Sequence, residues 1–205
     1  MRLRFALLLC VGLIQLAVPG WMAYEQEQIL RHGAEYKFET EPVDPYDLFR
    51  GRYVALRFKA QTVKQKPGAP EFPRNSKVYV AVKVNEAGFA EVERISLQPI
   101  AGDNVFQAKV WWTARAHPPK PGEPLKSPDD LLDKLHLEFP FHEYFMEESL
   151  APQAEQAYRT ANREKSKQKA WAIVRLRHGK AALSDLILDG QPIRDYLRDH
   201  PQSKP

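Results

Sequence analysis

The sequence predicts an α+β protein: an N-terminal transmembrane helix followed by a β-rich, mostly antiparallel domain with a few short helices. Three observations carry this reading. Residues 5–24 form an uncharged apolar run of bilayer length. Beyond it, short segments with period-two apolar alternation are separated by Gly, Asn, Asp and Pro turns. The helical segments are few and short, so hairpins and not long crossovers join the strands.

Charge and composition exclude several classes. The chain has 205 residues with 30 Lys+Arg and 26 Asp+Glu. Arg2 and Arg4 precede the apolar run, so the remainder is nearly balanced, which argues against a nucleic-acid binder. With 43% apolar and 27% charged residues the chain has the composition of a folded globule. A single Cys excludes a disulfide framework within the monomer and a Cys-based zinc cluster. Residues 34–205 are the size of one domain.

The run reads FALLLCVGLIQLAVPGWMAY, with Gln15 its one amide. Twenty helical residues span roughly 30 Å, one hydrocarbon core. Arg2 and Arg4 keep the N-terminus cytoplasmic, so the domain is exported, and Trp21 and Tyr24 fall where an interfacial aromatic belt lies. A cleaved signal peptide is the competing reading, since the apolar centre is short. Cutting after Ala23 would put Trp21 at the −3 position, where a small residue is needed, and cutting after Gly20 would leave Pro19 between the two recognition positions. Residues 1–24 are therefore read as a retained anchor and 25–33 as a helical connector that Gly33 stops. Cys10 reads as an apolar residue of the anchor.

A strand is predicted over 34–40, with Tyr36 and Phe38 on one face. Asp44 caps a short turn with Pro45 at its first position, and Gly51 ends it. Tyr53–Thr62 reads as one strand, and residues 64–76 as a Pro-rich loop. Lys77–Val84 is a strand with Val78, Val80, Val82 and Val84 on one face. Residues 85–88 turn into a partner over Phe89–Leu97, where the apolar phase switches from even to odd and predicts a bulge near Glu93. Val105–Ala116 is a strand with Phe106, Val110 and Trp112 inward and Trp111 outward. After a second Pro-rich loop, Ser127 and Pro128 start a short helix through Leu135, and 136–141 is extended. A helix runs from about Ser149 to Glu164, a hairpin over Ala170–Leu188, and a last short helix over Pro192–Asp199. About seven strands result.

The segment Glu41-Pro-Val-Asp-Pro-Tyr-Asp-Leu-Phe-Arg-Gly-Arg-Tyr-Val-Ala-Leu-Arg-Phe58 resembles the signature region of the bacterial GDYXXLXY family. Asp44, Pro45, Asp47, Leu48, Arg50, Gly51, Tyr53 and Leu56 match, whereas Arg52 stands for Asp and Phe58 for the final Tyr. The stretches His142–Glu147, Trp171–Arg177 and Gly179–Gly190 are similar too. The resemblance implies a bacterial inner-membrane protein with one span, its domain (34–205) in the periplasm, no assigned activity, and an integral-membrane partner. The exchange at Arg52 excludes an essential acid there, so the motif reads as structural or as a docking surface.

Other constellations are weaker. His142, Glu143 and Glu147 would share a helical face if 142–148 were helical, and two carboxylates with an imidazole could hold a divalent ion. The set lacks the second His of the zinc pattern. No Gly-x-Ser-x-Gly elbow or phosphate loop exists. Trp111 is a candidate surface contact for a partner, a headgroup or a saccharide. The basic stretch from Arg159 to Lys169 reads as a solvated helix end. The sequence implies no cofactor. Its favoured function is an anchored, extracytoplasmic accessory protein that assists a neighbouring membrane protein and contacts the bilayer through residues 5–24. The alternatives are a periplasmic hydrolase using the His142/Glu143/Glu147 region and a periplasmic ligand-binding module.

Overall fold

The computed structural model describes residues 2–42, 53–66, 68–115, 132–163 and 169–200, with side chains from residue 11 onward. Helix α1 (Arg2–His32) leads into β1 (Ala34–Glu39). There follow β2 (Tyr53–Ala55), β3 (Thr62–Gln65), β4 (Lys77–Val84), β5 (Ala90–Ser96), β6 (Val105–Ala114), β7 (Asp133–Glu138) and β8 (Glu143–Phe145). The chain ends with α2 (Ala151–Ala161), β9 (Ala170–Arg177), β10 (Lys180–Leu188), β11 (Gln191–Pro192) and α3 (Ile193–Asp199). The architecture is β-rich with three helices, and every ladder among the described residues is antiparallel. Among the described residues there are eleven strands in place of the expected seven: the segment after Tyr53 divides into β2 and β3, and β7, β8 and the two-residue β11 are added.

The strands form a five-stranded sheet in the order β3-β7-β6-β4-β5, a four-stranded sheet in the order β1-β9-β10-β11, and the pair β2-β8. Apolar residues of all three meet in one core. At its centre Phe38 of β1, Phe58, Phe106 of β6, Phe139 and Phe141 pack with ring centroids 5.0–6.2 Å apart. Edge-to-face and tilted pairs at such distances are favourable beyond their burial. Both large sheets therefore share one aromatic centre, and α2 closes it with Ala154 and Tyr158.

Two turns follow from local chemistry. His178 (φ 48°) and Gly179 (φ 78°) are both left-handed, as are Asp189 (φ 50°) and Gly190 (φ 85°). Consecutive positive φ angles are what a two-residue hairpin with the right strand twist requires, so β9-β10 and β10-β11 each reverse tightly. The bulge near Glu93 is present: Ala81 pairs with Arg94 and Val82 with Val92, which skips Glu93.

Several expectations are corrected. Tyr53–Thr62 is not one strand. Val54, Leu56 and Phe58 are all buried, as alternation predicts, but the hydrogen-bond partner changes along the segment. Residues 53–55 pair with β8, Leu56 N donates to the His142 carbonyl (2.8 Å), Phe58 bridges Thr40, and a 3-10 turn at Lys59–Gln61 delivers the chain to β7. Alternation reports which residues are buried and not which strand they pair with. Val84 is not in the valine face: it is 56% exposed, whereas Val78, Val80 and Val82 are buried. Trp112 is not a core residue but 42% exposed. The ladder of β6 with β7 jumps from Val110–Leu137 to Trp112–His136, leaving Trp111 as the extra residue of a bulge, which turns both indoles outward. Residues 133–135 belong to β7 and not to a helix, and 143–145 form β8. Asp44, Pro45, Asp47, Leu48, Arg50, Gly51 and Arg52 lie outside the described residues.

Gly33 stops α1 by close approach and not by a left-handed turn. A Cβ there would lie 2.5 Å from the Ile29 carbonyl oxygen and 3.0 Å from Arg175 Cβ. The last turns of α1 are thereby pressed onto the outer face of the four-stranded sheet. Ile29 is buried, Arg177 Nη1 donates to the Gln28 carbonyl (3.1 Å), and Lys180 pairs with Glu25. Among the described residues no helix is long and apolar enough to cross a membrane. The helix is there, but the span expected at 5–24 is not established by it.

Candidate functional site

A polar concavity lies between β8 and β10, beside the end of α1 and the start of α3. It encloses about 400 Å³ and is lined by Gln26, Glu143, Tyr144, Phe145, Ser184, Asp185 and Arg194. A second bulge builds it. The ladder of β10 with β9 jumps from Leu183–Val174 to Asp185–Ile173, so Ser184 is the extra residue. Bulges re-aim side chains, and this one sets a hydroxyl and a carboxylate side by side at the cleft.

Asp185 Oδ1 accepts hydrogen bonds from the Tyr144 hydroxyl (3.0 Å) and the Leu186 N–H (2.8 Å). Tyr144 is almost fully buried. Burial, then the charge and hydrogen bond of Asp185, push its hydroxyl up to about 12, against the opposing effect of Arg194. Tyr144 is therefore a permanent donor at neutral pH, and Asp185 Oδ1 accepts from it. Phe145 stands 64% exposed at the mouth, with its ring 5.6 Å from that of Tyr53. The arrangement can bind and orient a polar ligand against an aromatic rim.

A second polar cluster fixes the ends of the signature segment. Thr40, a buried polar residue, donates to the Ala170 carbonyl (2.8 Å) and lies 2.9 Å from Asn162 Oδ1. The Tyr158 hydroxyl donates to the Glu41 carbonyl (3.3 Å) and accepts from the Arg57 N–H (3.3 Å). Its pKa is raised, chiefly by burial. The Glu41 carboxyl is raised too by burial, which Arg57 and Lys59 only partly offset.

The metal candidates do not converge. His142 Nδ1 sits 2.7 Å from the Phe139 carbonyl oxygen and must donate to it, because a carbonyl only accepts. Glu143 lines the cleft, with its carboxylate 3.8 Å from His142 Nε2. Glu147 is drawn away to the start of α2, where it accepts from Ser149 Oγ (3.0 Å). The shared helical face does not exist because Glu143 is in a strand, and among the described residues no group of three such ligands could hold a metal. Of the signature residues, Leu56 and Phe58 are buried in the core and Tyr53 is half-buried. Trp111 is half exposed, and its neighbour Trp112 stacks on His136 with centroids 4.2 Å apart. Tyr144, Asp185 and Arg194 were not singled out by sequence. A signal was present at Asp185: the core-facing apolar phase moves from odd (Ala181, Leu183) to even (Leu186, Leu188) across Ser184 and Asp185, as it does across Glu93.

No curated protein and no solved structure matches the chain. The sequence model of one family, described as GDYXXLXY protein, matches residues 15–186. That stretch runs from the middle of α1 into β10 and holds Gln26, Tyr144 and Asp185 of the cleft as well as the whole signature segment; the chain belongs to the GDYXXLXY family.

Proposed function

We propose that this protein is a membrane-anchored, extracytoplasmic accessory domain that works on a neighbouring integral-membrane protein of the bacterial inner membrane. One observation carries the reading. The large apolar side chains of α1 from Val11 to Tyr24, including Leu13, Ile14, Leu16 and Met22, are 44–73% exposed. At 100° per residue they are spread round the whole helix, and a helix apolar on all sides needs an apolar surrounding. The uncharged run begins at Phe5, and Pro19 within it is tolerated in bilayer helices. Arg2 and Arg4 on one side, with Glu25 and Glu27 on the other, favour export of the domain.

The cleft supports a second, compatible reading, that of a ligand-binding module. It opens beside Gln26, directly after the apolar run, where a partner's extracytoplasmic loop would meet it. A photo-crosslinking residue placed at Phe145 in the full chain, in native membranes, tests the accessory role. The expected product is an adduct with an integral-membrane protein that is missing when the crosslinker stands at exposed Val84. Equal labelling from both positions, or none from Phe145, would count against a docking role for the cleft.

A further inference from the structure

We propose that the notch between the end of α1 and the β9-β10 hairpin is a headgroup site for anionic phospholipid. The inference rests on the reading that α1 lies in a bilayer. The notch encloses about 330 Å³ and is lined by Trp21, Tyr24, Glu25, Arg177, His178 and Lys180 among others. Trp21 and Tyr24 close the uncharged run, with ring centroids 6.1 Å apart and both indole and phenol exposed. Such rings settle at headgroup depth.

The tight turn at His178-Gly179 places Arg177 and Lys180 directly opposite each other in the ladder. Two cations in that relation repel each other. Among the described residues that line the notch Glu25 is the single carboxylate, and it pairs with Lys180. The two fixed cations therefore exceed the acid by one. Arg177 uses Nη1 on Gln28, at 3.1 Å to the carbonyl and 3.3 Å to Oε1. Nε and Nη2 remain on the planar fork that suits a phosphate. An anion would relieve the repulsion that Glu25 only half offsets. Because α1 is pressed onto the sheet at Gly33, the notch is held at a fixed depth relative to the apolar run, level with Trp21. The lipid phosphate is the anion found at that depth.

The test uses the full chain. Native mass spectrometry from micelles containing equal phosphatidylcholine and phosphatidylglycerol reads the lipids retained, and flotation with pure phosphatidylcholine vesicles reads anchorage. The wild type is expected to float and to retain phosphatidylglycerol preferentially. Arg177→Gln and Lys180→Gln should each lower that preference roughly fivefold. Glu25→Gln should raise it, whereas an ion pair serving only to dock the helix would give no rise. A chain that fails to float overturns the anchorage and this site with it. A chain that floats but retains both lipids equally, or whose preference survives the double substitution, overturns the headgroup site alone.

Discussion

The hydroxyl of Tyr158 in α2 lies 3.3 Å from the carbonyl oxygen of Glu41, 117 positions earlier in the chain. The same hydroxyl is 3.3 Å from the Arg57 N–H, and Glu41 N donates to the Arg57 carbonyl at 2.9 Å. One buried phenol thus ties both ends of the signature segment to α2. Thr40 and Phe58, on either side of this tie, bridge each other, and Val54, Leu56 and Phe58 are buried. The two ends of the motif are thereby fixed to one helix.

Tyr158→Phe keeps the ring and removes the hydroxyl, leaving a buried N–H and C=O without it. The expected loss is about 1–3 kcal/mol in denaturant unfolding. Tyr158→Ala, which also opens a cavity, should lose about 3–5 kcal/mol. Equal, small losses for both would place the ring outside the core.

Burial raises three tyrosines, Tyr36, Tyr144 and Tyr158, and the two in the core set an alkaline limit. Tyr144 titrates near 12 in the fold and Tyr158 is raised as well, against about 10 when unfolded. The unfolded chain loses these protons first. Stability from this source is therefore complete below pH 10 and falls as pH rises through 10 to 12, by on the order of 1 kcal/mol per pH unit for each tyrosine. Melting curves from pH 8 to 12 should show the fall, and Tyr144→Phe should make it shallower.

Val80 and Val84 test the register of β4. Val80 is fully buried and Val84 is 56% exposed. Val80→Asp should cost several kcal/mol and prevent folding, while Val84→Asp should change stability by no more than about 0.5 kcal/mol. Similar melting temperatures for the two variants would reject the register.

Gly33→Ala probes the junction of α1 with the sheet. Its methyl group would meet the Ile29 carbonyl oxygen at 2.5 Å and the Leu176 carbonyl oxygen at 3.1 Å. The expected cost is about 1–3 kcal/mol, together with faster hydrogen exchange at Ile29 and Arg177 as the helix lifts. Unchanged exchange would show that α1 is not pressed on the sheet.

How much of this was legible in the sequence depends on what hides a change of phase. The bulge at Glu93 was readable because apolar residues move from Val92 to Ile95 across charged neighbours. The bulge at Trp111 was not, because an indole stands at both phases and either assignment satisfies the alternation. The split of Tyr53–Thr62 was invisible for a different reason. Val54, Leu56 and Phe58 keep their period while their partners change from β8 to Thr40. Pairing at long range is a property of the whole chain and leaves no local mark. The cleft required both kinds of information, a bulge at Ser184 and the meeting of Tyr144 with Asp185 across 41 positions. Only Glu143 of its lining had been singled out, and for a metal set that the strand geometry disperses.

If α1 anchors an exported domain, the C-terminus lies outside the cytoplasm, and its orientation can be read with reporters. The full chain would carry at its C-terminus either a reporter active only outside the cytoplasm or one active only inside it. Membranes would be washed with alkaline carbonate before assay. Activity is expected from the first reporter alone, retained in the carbonate-washed membrane. Activity from the cytoplasmic reporter, or release of the chain by carbonate, would contradict it.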